Sequence, residues 1–261
     1  AEGAARFEDA VRGAMDLGHD MVGDWVILRS NGLPTYNFAA AVDDQLMKIT
    51  HVIRGEEHLP NTLRQIMIYD ALGAARPVFA HVPLILAEDR SKLSKRHGAS
   101  SVGDLRASGY LPDAALNYLL LLGWSHPQSK EIMPRDEMVK VFGIERIGKA
   151  AAVFDKQKLL WMNGQYIRKL DLDTLCKLVD PYVPPSLRQR YSEAQLREIV
   201  AILQDSIDLL ADFPKRAAIF EPAVEYEEET QALLQTESAR RVLTIMVSKL
   251  GAHTAALTPE N

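Results

Sequence analysis

The alternation of β-branched apolar runs with helical segments between residues 24 and 90 constrains the fold of this chain more than any other feature. The predicted elements, in order, are strand 24–29, helix 36–48, strand 50–53, helix 60–72 and strand 82–86. The second helix has the clearest ends, because Pro60 stands in its first turn and Gly73 just beyond its last residue. A β-α-β-α-β order builds a parallel sheet through right-handed crossovers. The sequence therefore predicts an α/β unit in this segment.

The remainder of the chain has a different pattern. Short alternating stretches before residue 30, such as 7–11, predict small strands, whereas no convincing strand follows residue 100. The helices predicted there are 112–122, 154–167, 171–179, 192–210 and 237–250. A capping box formed by Ser192 and Gln195 marks the start of the fourth. The predicted fold class is therefore α/β plus all-α.

Composition excludes several classes of protein. The 261 residues carry 30 Lys and Arg against 35 Asp and Glu, a net charge of -5, which argues against a protein held to nucleic acid by bulk charge. The one cysteine, Cys176, has no partner for an intrachain disulfide, and the seven histidines lack ligand spacing, so we expect no structural zinc. No apolar run is long enough to cross a bilayer, so we expect no membrane segment. A soluble protein of the reducing cytoplasm is expected.

Polar segments directly follow the three predicted strands of the α/β unit. They are 34–37, 54–58 and 88–96. Open parallel sheets bind their ligands at the carboxyl ends of the strands, where such segments come together. We therefore expect the three segments to line one site.

The third of these segments is strongly basic. Arg90, Lys92, Lys95 and Arg96 lie within seven residues, with Ser94 among them. Fixed cations at this density stabilise the charge that develops when a pyrophosphate leaves. The alternative is a solvated basic turn. The position of the segment after an apolar parallel strand favours the phosphate-binding interpretation.

Four residues of the other two segments each allow two interpretations. Arg54 either binds a substrate carboxylate or forms a structural ion pair with a neighbouring acid such as Glu56. Tyr36 either offers its hydroxyl to a ligand or is a half-buried core aromatic residue. Glu57 either accepts hydrogen bonds from a ribose or an amine, or is a first-turn acid of the following helix. His58 either stacks on a base or contacts a phosphate, or is an exposed histidine at the start of that helix.

Nine different short motifs are distributed over the first two thirds of the chain. They are 29–39 (RSNGLPTYNFA), 42–44 (VDD), 49–58 (ITHVIRGEEH), 61–62 (NT), 92–98 (KLSKRHG), 110–112 (YLP), 122–125 (LGWS), 154–156 (FDK) and 161–163 (WMN). In this combination the chain resembles the glutamyl-tRNA synthetase family, which belongs to the class I aminoacyl-tRNA synthetases. The motif at 92–98 resembles the family's form of the second class I signature. The resemblance is dense from about residue 5 to 170 and looser beyond.

The resemblance implies a function and a set of site residues. It implies ATP-dependent activation of L-glutamate and transfer of the glutamyl group to the 3′ end of tRNA(Glu) in translation. Tyr36 and Arg54 would contact the glutamate. The residues that would surround the adenosine of ATP are Glu57, His58 and the backbone of Leu84 and Ile85. Lys92, Ser94 and above all Lys95 would hold the phosphates as pyrophosphate leaves, and Mg²⁺ would accompany ATP without a metal-ligating residue of this chain.

The resemblance also implies an order of domains. Residues 1–30 would be the tail of an acceptor-stem-binding insertion, 31–90 the second half of a Rossmann-like catalytic domain, 91–170 a stem-contact region with the KLSKR loop, and 171–261 an incomplete helical anticodon-binding region. The family's first signature, His-Ile-Gly-His, does not occur in this sequence, nor does the first half of the nucleotide fold. We therefore expect a middle-to-C-terminal fragment that does not form glutamyl adenylate by itself.

Two alternatives stay open. The chain is either part of the ligase or a non-catalytic tRNA-binding or regulatory paralogue that keeps the same scaffold. A synthetase-like enzyme that glutamylates a modified tRNA base is less favoured, because such proteins lack the anticodon-binding module, whereas helices are predicted here after residue 170.

Overall fold

The computed structural model describes residues 4–18, 22–93, 101–221 and 227–251. The chain forms two compact units. The first comprises residues 1–105 and 112–162, and the second comprises residues 106–111 and 163–261. All strands of the described chain belong to the first unit, and the described part of the second unit is helical.

A four-stranded mixed sheet forms the first part of the first unit. Its elements and those next to it are β1 Ala4–Asp9, β2 Gly13–Gly18, α1 Tyr36–Leu46, β3 His51–Gly55, α2 Leu59–Ala71, β4 Val78–Val82 and β5 Ile85–Leu86. The strand order is β2-β1-β4-β3. Strands β1 and β2 are antiparallel, whereas β4 is parallel to both of its neighbours. The helix α2 connects the parallel strands β3 and β4, as predicted for a β-α-β unit.

The two helices and the sheet share one apolar core. Its buried residues are Ala41, Leu63, Ile66, Ile68, Tyr69 and Phe79, and the partly buried Phe7, Trp25, Phe38 and Val52 pack against them. Most of the buried residues lie on α2, because its apolar side chains recur every three or four positions and so form one face. Full burial of a side chain of this size contributes about 1.5–3 kcal/mol.

We expect the variant Ile66→Ala to lower the free energy of unfolding of the first unit by about 2–5 kcal/mol, because it leaves a cavity among well-packed neighbours. Ile66 is fully buried, whereas Leu72, just beyond the end of α2, is 53% exposed. The control Leu72→Ala should change the free energy by about 0.5 kcal/mol or less. Urea unfolding followed by tryptophan fluorescence measures the first unit alone, because Trp25, Trp124 and Trp161 all lie in it. Equal losses in the two variants would contradict this assignment of the core.

The predicted strand over 24–29 is wrong. Leu28 makes only an isolated bridge, to Pro34, and Val26 is 63% exposed. The β-branched pattern of the segment is that of a strand, but a strand also needs a ladder partner. The strand next to β4 in the sheet is β1, and the 24–29 segment pairs with no strand, so it forms a loop instead.

The structure has parts of two strands where the sequence predicted one strand over 82–86. The strand β4 ends at Val82 and β5 begins at Ile85. Pro83 between them has no N–H to donate to a ladder, which ends the pairing there. The predicted helices 36–48 and 60–72 are confirmed to within two residues at each end.

The first unit continues with helices and one further strand. The elements are α3 Val102–Ala107, α4 Pro112–Leu121, α5 Arg135–Val141, β6 Ala152–Val153 and α6 Lys156–Lys169, of which α3 and α6 cross the division between the units. A second buried cluster contains Trp124, Met133 and Met138. The two residues of β6 pair in parallel with β5, so the expectation of no strand beyond residue 100 is wrong. A strand of two residues has no sequence periodicity, and its existence depends on β5 as a partner.

The second unit consists of short helices in its described part. They are α7 Leu172–Val179, α8 Pro185–Arg190, α9 Glu193–Leu203, α10 Phe213–Ala217, α11 Glu228–Leu234 and α12 Glu237–Gly251. The capping box of Ser192 and Gln195 at the start of α9 is confirmed. This helix ends earlier than predicted, because a 3-10 turn at Gln204–Ser206 and an extended Ile207 follow it. Among the described helices of both units, none combines the length and apolarity that crossing a bilayer needs.

Candidate active site

The parallel pairing of β3 and β4 brings two polar residues to the same end of the sheet. Arg54 lies opposite His81 in the register, one position before the last residues of both strands. Tyr36, the first residue of α1, interacts with Arg54 through its hydroxyl and is 58% exposed. The interpretation of Tyr36 as a core aromatic residue is therefore wrong. The carboxyl ends of two parallel strands and the start of a helix form the candidate site, as expected for an open sheet.

The Arg54 guanidinium is held by neutral partners. Its Nη2 donates to Thr62 Oγ1 at 2.6 Å and to Gln65 Oε1 at 2.8 Å, and its Nε donates to His81 Nε2 at 3.3 Å. Within the described ranges no carboxylate forms an ion pair with it, so the expected alternative of a pair with an acid such as Glu56 is not what the structure shows. Burial lowers the pKa of Arg54 below its ordinary value, although Tyr36 and Asp44 nearby oppose this shift.

His81 and Asp9 form a buried pair behind Arg54. Both side chains are fully buried, and His81 Nδ1 lies 2.6 Å from Asp9 Oδ2. Asp9 Oδ1 also accepts hydrogen bonds from the backbone N–H groups of Val11 at 3.0 Å, Arg12 at 2.8 Å and His81 at 3.2 Å. Burial acts to raise the pKa of Asp9, but these hydrogen bonds outweigh it and hold the pKa below the ordinary 3.8. Burial lowers the pKa of His81 below 6.5 despite the opposing effect of Asp9.

The contacts of His81 determine its tautomer. The Asp9 carboxylate only accepts and the Arg54 guanidinium only donates, so Nδ1 carries the hydrogen and Nε2 is the acceptor. The lowered pKa of His81 agrees with a neutral ring. A chain of hydrogen bonds therefore runs from a buried carboxylate on β1, through a neutral imidazole on β4, to the guanidinium on β3.

Glu56 connects the start of the chain to the segment after β4. It accepts from the Arg12 guanidinium through Oε2 and from the backbone N–H of Leu84 through Oε1, the latter at 3.2 Å. The carbonyl of Ile85 accepts from the backbone N–H of Leu93 at 3.1 Å. Leu84 and Ile85 are the residues whose backbone is predicted to bind adenosine. The N–H of Leu84 and the carbonyl of Ile85 already form hydrogen bonds within the chain.

The basic segment begins on a short hairpin. Leu86 forms an antiparallel bridge with Lys92, and the N–H of Ala87 donates to the carbonyl of Ser91 at 2.8 Å. Lys92 Nζ lies 3.2 Å from Glu57 Oε1, with side-chain exposures of 64% and 40%. The hydrogen bond from its own backbone N–H and then that from Lys92 lower the pKa of Glu57 below 4.5. The hairpin therefore places a predicted phosphate-binding lysine beside a predicted ribose-binding acid.

The other predicted residues are placed as follows. His58 immediately precedes α2, and its Nδ1 lies 3.1 Å from Asn61 Nδ2, so this ring nitrogen accepts. Ser94 and Lys95 lie outside the described residues.

Sequence reasoning missed several residues of the site. They are Asp9, Glu56, Thr62, Gln65 and His81. For His81, Thr62 and Gln65 the available signal was a polar residue on an otherwise apolar strand or helix face. His81 interrupts the apolar strand β4, and Thr62 and Gln65 flank Leu63 on the buried face of α2. Such residues need buried partners, because an unpaired polar group in a core costs about 1–3 kcal/mol.

A half-buried arginine and a basic hairpin at the carboxyl ends of parallel strands define an α/β ligand-binding domain of the nucleotide-binding type. The family model described as "tRNA synthetases class I (E and Q), catalytic domain" matches residues 1–161. The chain belongs to this family of class I tRNA synthetases. The resemblance inferred from the motifs and the predicted class of enzyme, an aminoacyl-tRNA synthetase, are thereby confirmed.

Relatives with curated names agree with this assignment. The chain is 46% identical over 247 residues to the glutamate–tRNA ligase of Aquifex aeolicus, an alignment that covers 94% of this chain and 52% of that protein. It is 44% identical over 248 residues to the glutamate–tRNA ligase of Carboxydothermus hydrogenoformans, covering 93% of this chain and 52% of that protein. The chain thus spans about half the length of the curated relatives it matches.

Solved structures agree as well. A glutamate–tRNA ligase from Elizabethkingia meningosepticum, crystallised in complex with its amino acid, superposes with a TM-score of 0.82 at 29% identity, covering 97% of this chain and 54% of that chain. A glutamate–tRNA synthetase from Elizabethkingia anophelis superposes with a TM-score of 0.79 at 28% identity, covering 98% of this chain and 58% of that chain. The predicted mixture of a sheet with helices and a helical remainder fits these folds.

Proposed function

We propose that this chain contributes the glutamate-binding part and part of the ATP-binding site of a glutamate–tRNA ligase. In that reaction an α-carboxylate oxygen of L-glutamate attacks the α-phosphorus of ATP, and the bond from that phosphorus to the bridging oxygen breaks as pyrophosphate leaves. The glutamyl group then passes to a hydroxyl at the 3′ end of tRNA(Glu), and AMP leaves. The substrate carboxylate is itself the nucleophile, so the protein needs to supply position and neutralising charge.

The environment of Arg54 carries this proposal. A guanidinium that is partly removed from water and bonded to neutral groups has lost solvation without gaining a directly paired opposite charge, since the nearby Asp44 forms no ion pair with it. A substrate carboxylate would supply that charge and would match the planar guanidinium. Because the α-carboxylate must stay free to attack ATP, the side-chain carboxylate of glutamate is the natural partner of Arg54, with Tyr36 beside it. The relative from Elizabethkingia meningosepticum was crystallised with its amino acid, which is consistent with this role.

The residues assigned to ATP come from the resemblance and from the hairpin. We propose that Glu57, His58, Leu84 and Ile85 surround the adenosine, and that Lys92, Ser94 and Lys95 neutralise the phosphates. Lys92 is exposed enough to exchange Glu57 for a phosphate, since an exposed ion pair is worth about 1 kcal/mol or less. Magnesium would arrive bound to ATP, because the described residues contain no group of three or more potential metal ligands.

The division of the chain into functional regions is part of the proposal. We propose that residues 1–30 end an acceptor-stem-binding insertion, that 31–90 belong to the catalytic domain, that 91–170 contact the tRNA stem and that 171–261 belong to an anticodon-binding region. The helical character of the described part of the second unit supports the last of these assignments.

Binding of L-glutamate to this chain tests the proposal. In an NMR titration, L-glutamate should shift the signals of Tyr36 and Arg54. L-glutamine, which has the same shape but a neutral side chain, should bind about 10- to 100-fold more weakly, as expected for one hydrogen-bonded charge. Equal binding of the two amino acids, or shifts confined to other residues, would contradict the proposal. ATP–pyrophosphate exchange in a protein of the relatives' full length then separates the ligase from a non-catalytic paralogue.

A further inference from the structure

We propose that Asp9 and His81 are positioning residues, which hold Arg54 in the orientation that binds the substrate carboxylate. This role rests on the proposed function of Arg54. Neither residue is exposed to a ligand, because both side chains are fully buried. Their effect on the substrate must therefore pass through the guanidinium that His81 contacts.

The hydrogen-bond donors of Arg54 show how the orientation is set. The guanidinium has five N–H groups. His81 Nε2 takes the single Nε hydrogen, and Thr62 and Gln65 take the two on Nη2. That leaves the two hydrogens on Nη1 for a ligand, and the Tyr36 hydroxyl also interacts with the guanidinium. Three acceptors thus fix the plane and the rotation of the group.

The Arg54 Nε–H has an acceptor in His81 only while the ring hydrogen of His81 stays on Nδ1. His81 Nε2 accepts because Asp9 holds the ring hydrogen on Nδ1 at 2.6 Å. Three backbone N–H groups in turn hold Asp9, so its carboxylate cannot rotate away without losing those hydrogen bonds. Thr62 Oγ1 accepts from Arg54 Nη2 at 2.6 Å and can donate its one hydrogen to the same Nε2 at 2.8 Å, so the lone pair of Nε2 serves both Thr62 and Arg54.

The substitution Asp9→Asn tests this role with little change in shape. An asparagine can turn its amide N–H towards Nδ1, which then has to accept, so the ring hydrogen moves to Nε2. The Nε2–H of His81 would then face the Nε–H of Arg54, and two donors cannot form a hydrogen bond. The same change of tautomer explains the effect of Asp-to-Asn substitution in serine protease triads. The matched control is Asp16→Asn, which removes an exposed ion pair with Arg6 in the same hairpin.

Three measurements on the 15N-labelled chain decide the outcome. The His81 ring nitrogens should show hydrogen on Nδ1 in the wild type and on Nε2 in Asp9→Asn. The Arg54 Nε–H signal should shift and exchange faster with water in that variant, and L-glutamate should bind about 10- to 100-fold more weakly, the effect of losing one hydrogen bond to a charged group. Asp16→Asn should leave all three unchanged. A reversed tautomer with an unchanged Arg54 signal would overturn the proposal, and so would an unchanged tautomer.

The design separates this proposal from the proposed function. If the wild type does not bind L-glutamate, the glutamate site is wrong, whereas the Arg54 signal still reports whether His81 orients the guanidinium. If Asp9→Asn does not fold, acid titration of the wild type replaces it. The groups that face His81 are Asp9, Arg54 and His58. The Arg54 Nε signal should follow protonation of the His81 ring, and a signal that follows His58 instead would overturn the proposal.

Discussion

The variant Arg54→Met is expected to bind L-glutamate with an affinity lowered by about 2–5 kcal/mol, or roughly thirtyfold to several-thousandfold, because it removes the only proposed opposite charge for the substrate side chain. Titration calorimetry of the folded variant measures this loss. We expect the stability of the first unit to change by about 1 kcal/mol or less, since methionine loses three hydrogen bonds but no longer buries a charge.

Two further variants control this prediction. Arg54→Lys keeps the charge but lacks the planar fork, so its affinity should fall between that of the wild type and that of Arg54→Met. Arg76→Met removes an arginine that pairs with Asp70 on the surface of the same unit, and it should bind L-glutamate as the wild type does. If Arg54→Met retained wild-type affinity, the carboxylate site would have to lie elsewhere.

The variant Asp9→Ala is expected to lower the free energy of unfolding of the first unit by about 3–5 kcal/mol, the range for removing one partner of a buried polar pair. It leaves His81 Nδ1 and three backbone N–H groups without their acceptor in the core. Urea unfolding followed by tryptophan fluorescence measures the change. The control Asp16→Ala removes an exposed ion pair and should cost about 1 kcal/mol or less. Similar losses in both variants would contradict the importance of the buried pair.

The same pair predicts how stability depends on pH. The pKa of His81 is below 6.5 and that of Asp9 is below 3.8 in the folded chain, so the unfolded chain binds more protons in both cases. The wild type should therefore lose stability as the pH falls below about 6.5, and lose more below about 3.8. In Asp9→Ala the loss of stability below about pH 3.8 should be smaller than in the wild type, because one carboxylate with a lowered pKa is absent.

The stronger predictions from the sequence concerned elements with local signals at their ends. Pro60 and Gly73 bracket α2, and Ser192 with Gln195 begins α9, because a cap acts over three or four residues that are adjacent in sequence. The failed strand at 24–29 had a suitable composition but forms no ladder with any strand of the sheet. A strand depends on its neighbour, and the order β2-β1-β4-β3 is not visible in any single segment.

The site was predicted unevenly for a similar reason. Arg54 lies at the end of the predicted strand 50–53 and Lys92 lies on the polar segment after the next one, so their positions near the carboxyl ends of strands followed from the rule for open sheets. Asp9 and His81 are 72 residues apart in sequence; His81 is a single polar residue in an apolar strand, whereas Asp9 follows another acid, Glu8. Local patterns place such residues on a strand but do not show which partner they meet.

By itself the sequence determined most of the helices, the motifs of a class I tRNA synthetase and the cations and carboxylates that we propose as ligand contacts, because these depend on neighbours along the chain. Only the tertiary structure decided that β1 pairs with β4, which brings Asp9 against His81 and through it against Arg54. Burial is the physical reason, since a carboxylate, an imidazole and a guanidinium removed from water must satisfy one another, and strand order determines which of them can.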